Sequence, residues 1–196
     1  MNELRFELKQ FSTKEENGRL GTVGPFGEVT VVFTRKKWRD RSVNNYTEVR
    51  VHGENMPGAL YRAAGRPRPG LKDARLLIDG VPVGLDFNKR AFRNKTRALK
   101  LTCQGRTYEY TVTGVDKGSV LRRTGMEITI TRDKSTTGKG HSSFGTVTGE
   151  ADGVDLALAI VFEEVDTFDL TSMGAATAAF NRIVTPRTTD SGVGSE

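Results

Sequence analysis

The chain of 196 residues has one cysteine, two histidines, one tryptophan and only six prolines. A lone thiol, Cys103, excludes an intrachain disulfide, and its place in an alternating strand pattern reads as a buried structural residue. His52 and His141 stand far apart, each without nearby ligand partners, and no HxH, HExxH or CxxC spacing supplies a zinc site. Thr137-Gly138-Lys139-Gly140 fails as a phosphate loop, because Asp133 stands where the first glycine belongs and Gly140 where a hydroxyl residue belongs. Gly21, Gly24 and Gly27 lack the dinucleotide-binding spacing and read as turn residues, and no G-x-S-x-G elbow occurs. Glu163-Glu164 reads as a solvated helix end and not as an acid–base pair. These absences point to a non-enzymatic protein with no metal and no cofactor. No run approaches the ~18–20 apolar residues of a membrane-spanning helix. The opening MNELRFELKQF has no apolar signal core, so a cytoplasmic protein is expected.

What the sequence does contain is hairpin grammar. Leu76 to Ile78, then Asp79-Gly80, then Val81 to Val83 is a strand, a two-residue turn and a strand, with Asp-Gly suited to a type I′ turn. Ala98 to Cys103, Gln104-Gly105 and Arg106 to Val112 repeat the design. Gly27 to Thr34, Glu48 to His52 and Gly125 to Thr131 alternate with period two. The spacing predicts about nine or ten short antiparallel strands in a barrel or sandwich. Stretches 39–45, 55–71 (with Pro57, Pro67 and Pro69) and 133–143 read as loops. Residues 1–184 read as one β-rich domain with C-terminal helices, and 185–196 as a disordered tail.

Against this polar background stands one compact apolar run, Gly153 to Glu164 (GVDLALAIVFEE). Asp152 before it and Asp155 three positions later have the form of a helix N-cap with an acidic first turn. A helix apolar all round is a core helix, while a strand buried on both faces would also give an unbroken run. Helix is the preferred reading. A second helix is expected from an Asp169 cap to Ile183.

Many antiparallel strands followed by an apolar C-terminal helix resemble the tubby-like fold of tubby C-terminal domains and phospholipid scramblases. The elements that carry the resemblance are Ala74 to Asp86, Ala98 to Val112, Gly125 to Arg132 and the segment from Asp155 to Phe162. The resemblance implies a closed barrel around a central hydrophobic helix, and binding of phosphoinositide or phospholipid. It is one of pattern, without a residue-by-residue match to lipid contacts.

Charge is distributed unevenly. Residues 151–196 hold two basic and eight acidic residues, and the 150 before them hold 28 basic and 16 acidic. Such a balance suits an anionic partner or internal neutralisation. Two clusters are the candidate anion- or lipid-binding residues. The first is Arg35, Lys36, Lys37, Trp38, Arg39 and Arg41, where an indole among cations suits a membrane interface or a stacked base. The second is Lys89, Arg90, Arg93, Lys95 and Arg97, within a segment reaching Lys100. Both also suit ordinary solubilising surface. The expected partners are anionic lipid headgroups or an acidic protein. Nucleic acid lacks a supporting motif. The alternative function is an adaptor that docks through the acidic, Ala-rich C-terminal part or the Pro/Gly-rich loop. Oligomeric state is left open.

Overall fold

The computed structural model describes residues 3–34, 46–64, 68–87, 98–114, 117–133 and 141–171. Twelve strands follow in chain order: β1 (Leu4–Ser12), β2 (Glu16–Thr22), β3 (Glu28–Thr34), β4 (Tyr46–Gly53), β5 (Ala59–Ala64), β6 (Arg75–Ile78), β7 (Val81–Phe87), β8 (Leu99–Cys103), β9 (Arg106–Gly114), β10 (Gly118–Arg123), β11 (Met126–Arg132) and β12 (Ser143–Gly149). Each pairs antiparallel with its sequence neighbours, and β1 closes on β12, so the sheet is a closed barrel without a free edge. Two strands turn its corners. β1 pairs with β12 through Leu4–Leu8 and with β2 through Lys9–Ser12, and β7 divides its pairing between β6 and β8 in the same way.

Period-two alternation sets which side chains face inward. In β4, Val49 and Val51 are buried while Arg50 and His52 are exposed; in β9, Tyr108, Tyr110 and Val112 are buried. The two expected turns form as read. Asp79 and Gly80 have φ of 47° and 80°, and Gln104 and Gly105 have 49° and 77°, the double left-handed pair of type I′. Cys103 is buried at the end of β8, and burial pushes its thiol pKa up.

Two sequence readings are corrected. The described residues form twelve strands where nine or ten were expected, and β5 lies inside the stretch 55–71 that reads as a loop. Pro57 precedes β5, and Pro67 and Pro69 follow it, so no proline interrupts its ladder. Its inward residues are Ala59, Tyr61 and Ala63, too small on average to give a strong hydrophobic alternation.

The apolar run is the helix α1 (Gly153–Val161). Asp152 caps it: the Asp155 amide donates to Asp152 Oδ1 at 3.1 Å, and the Asp152 amide donates to Asp155 Oδ2 at 2.9 Å, a reciprocal capping box. Leu156 to Val161 are buried on every side. α1 touches β4 and β5 as well as β10 and β11, strand pairs that lie opposite one another in the ring. The helix therefore runs through the barrel interior, which is why it needs no polar face. Beyond it, Phe162 packs against Tyr110 (ring centroids 4.4 Å apart) and edge-on to Tyr61 (5.8 Å). Asp169 falls within a 3-10 turn, Phe168–Leu170, that begins after Thr167. The rest of the expected second helix and the tail 185–196 lie outside the described residues.

Candidate functional site

Up-and-down connectivity gives the barrel two unlike ends. The connections β2–β3, β4–β5, β6–β7, β8–β9, β10–β11 and β12–α1 lie at one end and are two to five residues long. The connections β1–β2, β3–β4, β5–β6, β7–β8, β9–β10 and β11–β12 lie at the other, and four of them run to ten or eleven residues. Their charges differ as well. The long-connection end carries seventeen Lys and Arg against five Asp and Glu in those segments, and the short-turn end carries four acidic residues and no basic one.

Arg35, Lys36, Lys37, Trp38, Arg39 and Arg41 belong to the β3–β4 connection. Lys89, Arg90, Arg93, Lys95 and Arg97 belong to β7–β8. All of them lie outside the described residues, but the strand ends that flank both clusters sit at the same end of the barrel. Tyr46, Phe144 and Phe168, the exposed aromatic residues among those described, are also at this end: Tyr46 opens β4, Phe144 is the second residue of β12, and Phe168 follows the helix exit.

The central helix is fixed at both ends by carboxylates that meet arginines from the wall. At the short-turn end, Arg123 grips fully buried Asp155 with Nε to Oδ1 at 2.9 Å and Nη2 to Oδ2 at 2.6 Å, and the Tyr108 hydroxyl donates to Oδ1 at 3.0 Å. Arg106 pairs with Asp152. Burial and the Asp155 charge push the Tyr108 phenol up to about 12, so it stays a donor.

At the long-connection end, Glu163 and Glu164 are buried, at 0% and 1% exposure, which overturns their reading as a solvated terminus. The reason is a cluster of three arginines. Arg132 Nε donates to Glu163 Oε2 at 3.1 Å, and the Ser143 hydroxyl donates to the same oxygen. Arg19 Nε lies 3.1 Å from Glu164 Oε1, and Arg68 Nη2 lies 3.1 Å from Glu164 Oε2, without the angles of hydrogen bonds. Burial alone would push both carboxyls up. Arg132 and Arg19 overcome it at Glu163, whose pKa falls below the ordinary value; Arg68 and Arg19 only partly offset it at Glu164, whose pKa rises. Burial also lowers the Arg19 pKa, against the pull of the two glutamates.

Arg19 is the residue that sequence reading could not place. In β2 it points inward while its neighbour Leu20 is exposed, the reverse of hydrophobic patterning. The only signal was the charge asymmetry: Asp152, Asp155, Glu163 and Glu164, half the acidic residues after position 150, are counter-ions for the barrel. Asp155, Glu163 and Glu164 are buried in these pairs, while the Asp152 side chain stays 45% exposed beside Arg106. The Ala-rich stretch from 172 lies outside the described residues.

A cavity of about 200 Å³ opens beside the root of the β7–β8 connection, lined by Tyr61, Leu71, Asp73, Leu85, Phe87 and Leu99. Its titratable members are Asp73 and Tyr61, and the Tyr61 hydroxyl donates to the Gly70 carbonyl at 2.7 Å. Among the described residues, no group of three or more His, Cys, Asp or Glu is placed to hold a metal, and no helix is long and apolar enough to cross a membrane. Protein-family models, curated proteins and solved structures give no match to this chain.

Proposed function

We propose that this protein is a non-enzymatic, tubby-like module that docks its long-connection end on an anionic lipid surface. The carrying observation is the segregation of charge: every long connection starts and finishes at one end, and those segments hold the chain's cationic surplus. Near an anionic surface each Lys or Arg contributes about 1 kcal/mol. A few of them acting together give useful affinity without a preformed pocket. Trp38 in the β3–β4 connection and the exposed rings of Tyr46, Phe144 and Phe168 add groups that favour the boundary between headgroup and acyl chain. The rings suit a lipid boundary and can also stack on bases, so lipid is separated from nucleic acid by the binding tests below. Enclosure of an apolar helix by a closed antiparallel barrel agrees with the tubby-like resemblance.

Co-flotation of the purified protein with neutral and with anionic vesicles, at low and at physiological salt, tests the reading. Retention on anionic vesicles at physiological salt is expected, together with its loss in the triple variant Lys36→Glu, Lys37→Glu, Arg39→Glu. These positions lie in a connection, so circular dichroism should be unchanged. Flotation indifferent to vesicle charge would reject the proposal. Tighter binding to a single-stranded oligonucleotide than to anionic vesicles at the same salt would favour nucleic acid as the ligand.

A further inference from the structure

We infer that Glu164 is a proton-operated latch on the cationic end: when its carboxyl takes up a proton, Arg68 loses its counter-charge and that end gains one cation for an anionic surface. The inference rests on the lipid reading and adds its regulation. Glu164 is buried, yet neither of its oxygens accepts a hydrogen bond. It is held as an anion by charge alone, which is a costly arrangement away from water. The charged groups that face it are Arg19 from β2, Arg68 from the β5–β6 connection, Arg132 from β11 and the adjacent Glu163. Glu163 has the hydrogen bonds of Arg132 and Ser143, so of the two like charges Glu164 is the one that takes the first proton. Its raised pKa agrees with that order.

The consequence reaches the surface through one residue. The Arg19 and Arg132 side chains are 3% and 14% exposed, whereas Arg68 is 29% exposed, with its guanidinium 6.0 Å from the Phe33 ring. Arg68 is therefore the member of the cluster that can meet an external phosphate. Linkage makes the effect reciprocal: an anion that favours free Arg68 also favours the proton on Glu164.

The test is binding to phosphatidylglycerol vesicles, whose phosphodiester keeps its charge, at about pH 7.5 and at about pH 5, still above the ordinary carboxyl range, where a carboxyl with a raised value takes up its proton before the others. Wild-type protein should bind about five-fold tighter at the lower pH, the effect of one added cation. Glu164→Gln should bind equally at both, at the tighter level, and Arg68→Gln equally at both, at the weaker level. Thermal melts establish that each variant is folded, and either variant alone suffices for the test. A Glu164→Gln protein that keeps the wild-type response would overturn the inference and transfer the effect to another group. Equal wild-type binding at both pH values overturns the latch alone. Absence of binding at either pH overturns the latch and the lipid reading together.

Discussion

The two ends of the barrel are built from the same strands but to different rules. At the short-turn end, β-hairpins close in as few as two residues and acidic residues serve the turns: Asp79 accepts from the Gly58 amide at 2.7 Å, and Glu54 accepts from that of Glu28. There the helix carboxylate Asp155 has a full set of donors. At the long-connection end, four of the six segments are far longer than a hairpin requires, cations outnumber anions, and the Glu164 carboxylate oxygens accept no hydrogen bond. Closure of a sheet demands nothing like this second pattern. Sequence spent beyond what folding requires is where binding is to be sought, and it is concentrated on one side.

The largest effects should come from removing the clamps. Arg123→Ala leaves Asp155 charged and buried without its bidentate partner, and should cost about 3–5 kcal/mol in denaturant unfolding. Glu163→Gln should cost a comparable amount at neutral pH. Glu163 has a lowered pKa, so its contribution is present above the unfolded carboxyl value and lost as pH falls through the folded one. The Glu163→Gln deficit should therefore shrink on acidification; a deficit constant with pH would show that packing, not charge, is what the substitution disturbs.

Next come effects on binding. The triple variant Arg90→Gln, Arg93→Gln, Lys95→Gln should weaken affinity for anionic vesicles by about 150-fold, on the basis of about 1 kcal/mol for each of three lost cations. The pair Glu54→Lys, Glu150→Lys adds cations at the opposite end and should leave affinity within about two-fold, because screening confines such effects to roughly 8–10 Å. Equal responses at the two ends would erase the distinction between them. In the short turns, Gly80→Ala meets no neighbour within 4 Å but sits at φ 80°, so its whole cost is backbone strain of about 1–2 kcal/mol. A larger loss would reveal packing at that turn.

Legibility in the sequence followed the physics of each element. The Asp79-Gly80 and Gln104-Gly105 hairpins were readable because a type I′ turn requires two left-handed residues and few sequences tolerate that. The capped helix was readable because Asp152 and Asp155 stand at fixed separation before an apolar run. β5 was not, because alanines carry little hydrophobic signal and the flanking prolines looked like a loop. Arg19 and the glutamates it faces were not, since pairing across the barrel joins positions more than 140 residues apart and a charge pattern names no partner. The cationic clusters were visible as composition. That they spring from a single end followed only from strand order.

The smallest predicted effect is the most informative about the cationic end. Glu163 and Glu164 are neighbours in one buried cluster, and the same isosteric change to glutamine should act on them in opposite senses. A raised pKa means that the site, arginines included, favours the neutral acid over the anion more than water does. The stability that Glu164 contributes is therefore present below its unfolded value and lost as pH rises through its folded one. Glutamine copies the neutral acid. Glu164→Gln should melt at or slightly above the wild-type temperature near neutral pH and should match wild type in acid, while Glu163→Gln melts below wild type near neutrality. If Glu164→Gln also melts lower, its ion pairs with Arg19 and Arg68 outweigh the cost of burial, and the long-connection end is clamped as firmly as the other.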